Sequence, residues 1–400
     1  MPRRLQEKLS EEAPEGGIMY TLFSVDDHIV EPADVWTSRV DKKFGDAIPH
    51  VVEEGGREFW VYDGTRETTM GLNAVAGKPP QEWGTEPSRF TDMIPGCYKP
   101  EERRRDMLSN GIFASVAFPT LPGFGGRKFG SFKDKDLALA CVRAWNDFIL
   151  DEWCAAAPDM FVPMTIVPVW DPALAAAEVE RTVGLGSKAL CWVEDPAAIG
   201  QPGLHGDHWD PLFAAVQDAG IPVCMHIGSS GAKVDFDPDM NPMVSIATAF
   251  TSAAYNAVNM MCSPVPRKFP DIKYVWSEGG IGWLPAALER ADRQWERHRY
   301  WTEMDETLPS EICKRSMYFC MIEEPWGLST RDYNGVDNIL WECDYPHCDS
   351  PWPNTQAACK ELFDDLDPEV TRKITHANAE KLFDFPLSQD LIARYSVHEN

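Results

Sequence analysis

Eight short apolar runs, most of them separated by helical patterns, constrain the fold of this chain more than any other feature of its 400 residues. The runs lie at 20–26, 112–118, 161–167, 189–193, 221–225, 272–276, 317–322 and 338–341, and are rich in β-branched and aromatic residues. Helical patterns at 101–110, 134–157, 171–183, 211–219, 245–261 and 284–299 fall between them, and two more at 355–363 and 368–383 close the chain. Helical crossovers imply parallel strands. Eight such units predict an α/β fold, a (β/α)8 barrel. The alternative, an open doubly wound sheet, would usually carry a glycine-rich phosphate turn after its first strand, and none stands there.

One barrel domain is expected over 19–390, after a polar leader at 1–18 and before a tail at 391–400. The stretch 31–97, rich in Gly, Pro and Trp, reads as an insertion after the first strand with a hairpin near 57–63. Long loops of this kind are often functional, and Met70, Trp83 and Phe90 make it a candidate lid over the barrel mouth.

The formal net charge of −26 argues against nucleic acid and anionic membrane surfaces, both of which need a basic face. No run approaches the roughly 20 apolar residues of a membrane span. The 11 cysteines are scattered and odd in number, with no C-x-x-C pair, so a cysteine zinc site is not expected and a reducing cytoplasm is. Asp235–Asp239 lacks the glycine and glutamate positions of a calcium loop, and Gly123-Phe-Gly-Gly126 lacks the lysine of a phosphate loop.

Residues able to hold a metal recur at strand ends. Asp26 and His28 end the first run, His226 follows the fifth, Glu278 the sixth, and Asp344 and His347 the eighth. Barrel active sites form at the C-terminal ends of strands, so these residues converge on one mouth. Residues i and i+2 of a strand face the same side, so Asp26 and His28 can share one ion. Trp283 is a candidate wall of the substrate pocket. Arg103, Arg104 and Arg105 read as a solvated helix face, and His205 and His208 as loop histidines.

Several motifs together resemble the amidohydrolase-related family, whose members include aminocarboxymuconate-semialdehyde and resorcylate decarboxylases. They are Ser24-Val-Asp-Asp-His-Ile-Val-Glu-Pro32, Trp209-Asp-Pro-Leu-Phe, Gly220-Ile-Pro-Val-Cys-Met-His226-Ile-Gly228, Phe269-Pro-Asp-Ile-Lys273, Ser277-Glu-Gly-Gly280 and Trp341-Glu-Cys-Asp344-Tyr-Pro346. The resemblance implies metal ligands at Asp26, His28, His226 and Asp344. It places a histidine in decarboxylases where this chain has Glu278, which adds a carboxylate beside the metal as a further ligand or an acid–base group.

The expected activity is metal-assisted hydrolysis or nonoxidative decarboxylation of a small organic acid or amide, with Asp344, Glu278 and His347 in catalysis. A divalent metal is required, zinc first and iron or manganese, singly or as a pair, as the alternative. A carboxylate-rich dinuclear monooxygenase and a noncatalytic subunit are the competing readings. A homodimer, or a hetero-oligomer with a paralogous subunit, is the expected assembly.

Overall fold

The structure, a computed structural model, describes residues 18–68, 71–84, 86–230 and 239–395. Its strands, in chain order, are β1 (Leu22–Ile29), β2 (His50–Glu54), β3 (Arg57–Tyr62), β4 (Thr65–Glu67), β5 (Ile112–Pro119), β6 (Phe161–Val162), β7 (Met164–Thr165), β8 (Ala189–Trp192), β9 (Val223–His226), β10 (Tyr274–Ser277), β11 (Met317–Met321) and β12 (Ile339–Trp341). Two parallel arcs run β1-β5-β6 and β7-β8-β9-β10-β11-β12. Pro163 lies between β6 and β7 and has no N–H to give to a ladder. Its carbonyl still accepts from Lys188 N–H at 2.7 Å, so the two fragments act as one strand joining the arcs. Asp344 N–H donates to Asp26 O and His28 N–H to Tyr345 O, each at 2.7 Å, which ties the segment after β12 to β1. The result is the expected (β/α)8 barrel.

Every residue of β1 and β5 is buried, as parallel strands covered on both faces must be. The helices start where short polar side chains cap them. Asp134 accepts from Asp136 and Leu137 N–H ahead of the helix Lys135–Phe148, and Asp171 does the same for Pro172–Gly184. Gly111 ends the turn before β5 at φ 74°, and a β-carbon there would stand 2.4 Å from Gln356 Nε2.

Local differences from the sequence reading have identifiable causes. The pattern at 134–157 is α-helical only to Phe148, then loosens into a π turn at Ile149–Trp153. The pattern at 245–261 is two helices, Pro242–Ala247 and Phe250–Cys262. A helix at Pro309–Ser316 precedes β11, its first residue a proline that needs no N–H partner. The insertion forms a three-stranded antiparallel sheet, β2-β3-β4, where a hairpin was expected. It docks on the mouth, since Val75 and Ala76 N–H both donate to Pro346 O at 3.1 Å. The expected tail from 391 instead carries a helix, Gln389–Tyr395, anchored by buried Leu391. The leader at 1–17, Met70 and most of the Asp235–Asp239 loop lie outside the described residues. Among those described, no helix is long and apolar enough to cross a membrane.

Candidate metal centre

Alternation along β1 sends Asp26 and His28 to the same side of the strand, and the other candidates arrive from neighbouring strand ends. His226 is the last residue of β9, and Glu278 follows β10 directly. His28 Nε2 lies 2.9 Å from Asp344 Oδ1, 3.7 Å from Asp26 Oδ1 and 3.9 Å from Glu278 Oε1. His226 Nε2 lies 3.4 Å from Asp26 Oδ2 and 3.5 Å from Glu278 Oε2. His347 Nδ1 is 2.9 Å from Asp344 Oδ2 and 3.9 Å from Glu278 Oε1. Residues more than 300 positions apart in the chain thus share one cluster at the C-terminal ends of the barrel strands.

The backbone holds two of these carboxylates in an uncommon conformation. Glu278 (φ 54°) and Asp344 (φ 56°) are left-handed, a region that bulky side chains seldom occupy outside constrained sites. Glu278 N–H is anchored by the buried Glu342 carboxylate at 3.1 and 3.3 Å, and Asp344 N–H by Asp26 O. His226 Nδ1 sits 2.7 Å from Ile227 O, which directs Nε2 into the cluster. Arg103 and Asp27 brace β1 from behind. Arg103 Nη2 donates to His28 O and its Nε to Gly96 O at 2.8 Å, while Asp27 accepts from Ser115 Oγ and from Tyr345 N–H.

Both Asp26 oxygens, His28 Nε2, His226 Nε2, Glu278 Oε1 and both Asp344 oxygens are buried without an aligned hydrogen-bond partner. Some lie close together, but none of these contacts has hydrogen-bond geometry. Buried polar atoms are normally satisfied, so orphans gathered at one point call for a cation. Asp26, His28, His226 and Glu278 each offer a donor atom within 4.8 Å of the others, and Glu278, Asp344 and His347 form a second such group. The set fits a divalent ion.

The electrostatics agree with the donor geometry. Burial, then the charges of Glu342, Glu278 and Asp344, push the Asp26 carboxyl well above its ordinary range. Burial also raises Glu342, with the Glu278 charge beside it. Burial alone would raise Glu278, but the imidazoles of His226, His28 and His347 overcome it and hold this carboxyl well below the usual value. Burial opposes charging of His28 and His347, yet the Asp344 and Glu278 carboxylates raise both.

Cavities of about 270 and 340 Å³ flank the cluster. His28, His226 and His347 face the smaller one, whose far wall includes Phe124, Arg127 and Asn73 of the insertion. The larger one contains Glu278, Glu342 and Phe250. Trp283 lines neither. It packs edge-on against Phe319 at 5.5 Å and donates to Gly279 O at 2.7 Å, so its indole serves the wall behind β10 and not the expected pocket. A wider groove of about 650 Å³ lies in the outer helical layer, around Val258, Arg290 and Trp295, away from the strand-end residues.

Arg103 is not on a solvated face as expected: it is fully buried, with its guanidinium 4.5 Å from the Tyr345 ring. His205, as expected, is a loop histidine, 2.8 Å from Asn259 Oδ1. The sequence reading missed Glu342, Phe124 and Arg127. Phe124 stacks on His226 with centroids 3.9 Å apart and planes 14° from parallel. Its signal was present: Gly123-Phe-Gly-Gly126 follows the second barrel strand, so it belongs to the mouth whatever its fit to a phosphate loop.

A family model described as amidohydrolase matches residues 50–385. Asp26 and His28 precede that span. The chain is 23% identical over 350 residues to gamma-resorcylate decarboxylase of Polaromonas sp., an alignment covering 80% of this chain and 95% of the relative. A crystal structure of an amidohydrolase from Mycobacterium avium subsp. paratuberculosis superposes with a TM-score of 0.74 at 21% identity, covering 92% of this chain and all of that one. 5-Carboxyvanillate decarboxylase from Novosphingobium aromaticivorans, complexed with manganese and 4-hydroxy-3-methoxy-5-nitrobenzoic acid, superposes with a TM-score of 0.64 at 18% identity, covering 92% and 96%. The structural likenesses carry the barrel and the family match carries the lineage: this chain is an enzyme of the amidohydrolase family.

Proposed function

We propose that this chain is a divalent-metal-dependent, nonoxidative decarboxylase of a small aromatic acid. The observation that carries the reading is the set of buried, unpartnered donor atoms on Asp26, His28, His226, Glu278 and Asp344 beside a cavity with an aromatic wall. The decarboxylase relatives support the reaction class. Carboxylate-rich donors and the manganese of the carboxyvanillate enzyme favour manganese over the zinc expected from sequence. The decarboxylase relatives lend the oxygenase alternative no support.

Bound at these donors, the metal would polarise an oxygen of the substrate. The chain's own residues supply the rest. Loss of carbon dioxide leaves an electron pair on the ring carbon, which must take up a proton. His347 borders the cavity and is held by Asp344, so this pair can deliver that proton to the ring. Phe124 and Phe118, packed around His226, keep water from the reacting carbon.

Glu278 favours a second reading, hydrolysis. A carboxylate, where the family resemblance places a histidine, can accept a proton from an attacking water. The two separate by product. The manganese-loaded chain, given a panel of hydroxybenzoic acids, should release one carbon dioxide per substrate consumed, without oxygen uptake. Release of amine from aryl amides, with no carbon dioxide from any acid, would reject decarboxylation.

A further inference from the structure

The smaller cavity holds a cation that no carboxylate claims. Arg127 leaves the loop after β5, and its Nη1 donates to Gly228 O at 2.8 Å and Ser229 O at 3.1 Å. Both partners are neutral, and among the described residues Arg127 forms no ion pair. The two carboxylates whose charge reaches it are otherwise engaged. Glu67 pairs with Lys128, and Glu194 accepts from Ser252 Oγ at 2.8 Å. Burial also pushes Glu194 up to about 7, which weakens its charge at neutral pH. In a chain of net charge −26, a cation fixed by carbonyls and left facing a cavity is arranged to meet an anion from outside.

The rest of the cavity sets the shape of that anion. Its volume, about 270 Å³, is below the roughly 300–1,000 Å³ of pockets for drug-sized ligands, so it suits a single ring. Phe124, flat against His226, supplies one face for the ring. Thr120 Oγ1, buried without a partner, adds a polar contact on the Arg127 side.

We propose that Arg127 binds a second acidic group of the substrate, a carboxylate on the ring away from the reacting group at the metal cluster. The substrate is then a monocyclic aromatic acid with two anionic groups. This rests on the metal-dependent reading above for where the reacting group lies.

Calorimetric titration of the manganese-loaded full chain with isophthalate and with benzoate tests it. The chain should bind isophthalate at least tenfold more tightly than benzoate. Arg127→Met should weaken isophthalate about 10–100-fold and benzoate less than threefold, with circular dichroism and manganese content unchanged. Arg127→Lys should restore part of the difference. Equal affinity for the two acids, no measurable binding of either, or equal losses for both in Arg127→Met would overturn the proposal. The two readings fail separately. An Arg127-dependent preference in a chain that releases no carbon dioxide keeps the subsite and rejects the decarboxylase. Carbon dioxide release without that dependence does the reverse.

Discussion

Arg103→Met should destabilise the fold by about 3–5 kcal/mol, the range for breaking a buried charge contact. The side chain is fully buried. Its loss leaves Gly96 O and His28 O without their donors, and each abandoned buried acceptor costs about 1–3 kcal/mol. The guanidinium also lies 4.5 Å from the Tyr345 ring and 5.3 Å from the Trp153 ring, contacts that methionine replaces only in part. Asp27 and Asp106 limit the damage. Burial raises each to about 6 even with Arg103 present, so without it they can take up protons and avoid an unpaired charge. An unfolding entropy of about 2.1 cal/mol/K per residue gives roughly 0.8 kcal/mol/K for a chain of 400 residues. The expected fall in Tm is therefore about 4–6 °C by scanning calorimetry. Arg105→Met, exposed on the same helix, should stay within about 0.5 kcal/mol of the parent chain. An Arg103→Met variant melting within 1 °C of the parent would refute the reasoning.

Other expectations follow from the same geometry. Glu194 is protonated more readily folded than unfolded, 7 against 4.5, so it binds more protons in the folded chain and its stabilisation is lost as pH rises between those values. Glu194→Gln should remove up to about 3 kcal/mol of that decline, seen as a smaller drop in Tm from pH 5 to pH 8; an unchanged slope would contradict it. Glu342→Gln should weaken manganese binding about 10–100-fold in competition titrations, because Glu342 anchors the left-handed Glu278 backbone; unaltered affinity would show that Glu278 needs no such support. His226→Ala should lose bound metal and turnover while far-ultraviolet circular dichroism stays the same, and retained metal would remove His226 from the ligand set.

The barrel was legible because its eight strands are short apolar runs set apart by capped helices, a pattern that local chemistry writes directly into the chain. The cluster was legible for a related reason. Strand ends fix position, so Asp26, His28, His226, Glu278 and Asp344 could be brought to one rim without any distance being known. What stayed hidden depends on which way a side chain turns. Arg103, Arg104 and Arg105 are chemically alike in sequence, yet one full turn of helix aims only Arg103 into the barrel wall. Trp283 had the right neighbourhood and the wrong direction, since its indole turns to Phe319. Arg127 and Phe124 sit in a glycine-rich loop with no motif of its own, and only the closed barrel brings that loop opposite His226. Glu342 touches the cluster only through the Glu278 backbone, a contact no spacing rule describes.

The central claim is that one divalent cation joins these strand ends. Anomalous diffraction from crystals of the full chain grown with manganese, collected on both sides of its absorption edge, tests this most directly. The account predicts a peak among Asp26, His28, His226 and Glu278, with donor atoms drawn in to roughly 2.0–2.5 Å. Manganese bound elsewhere, or saturating manganese with no peak between His28 and Glu278, would contradict it.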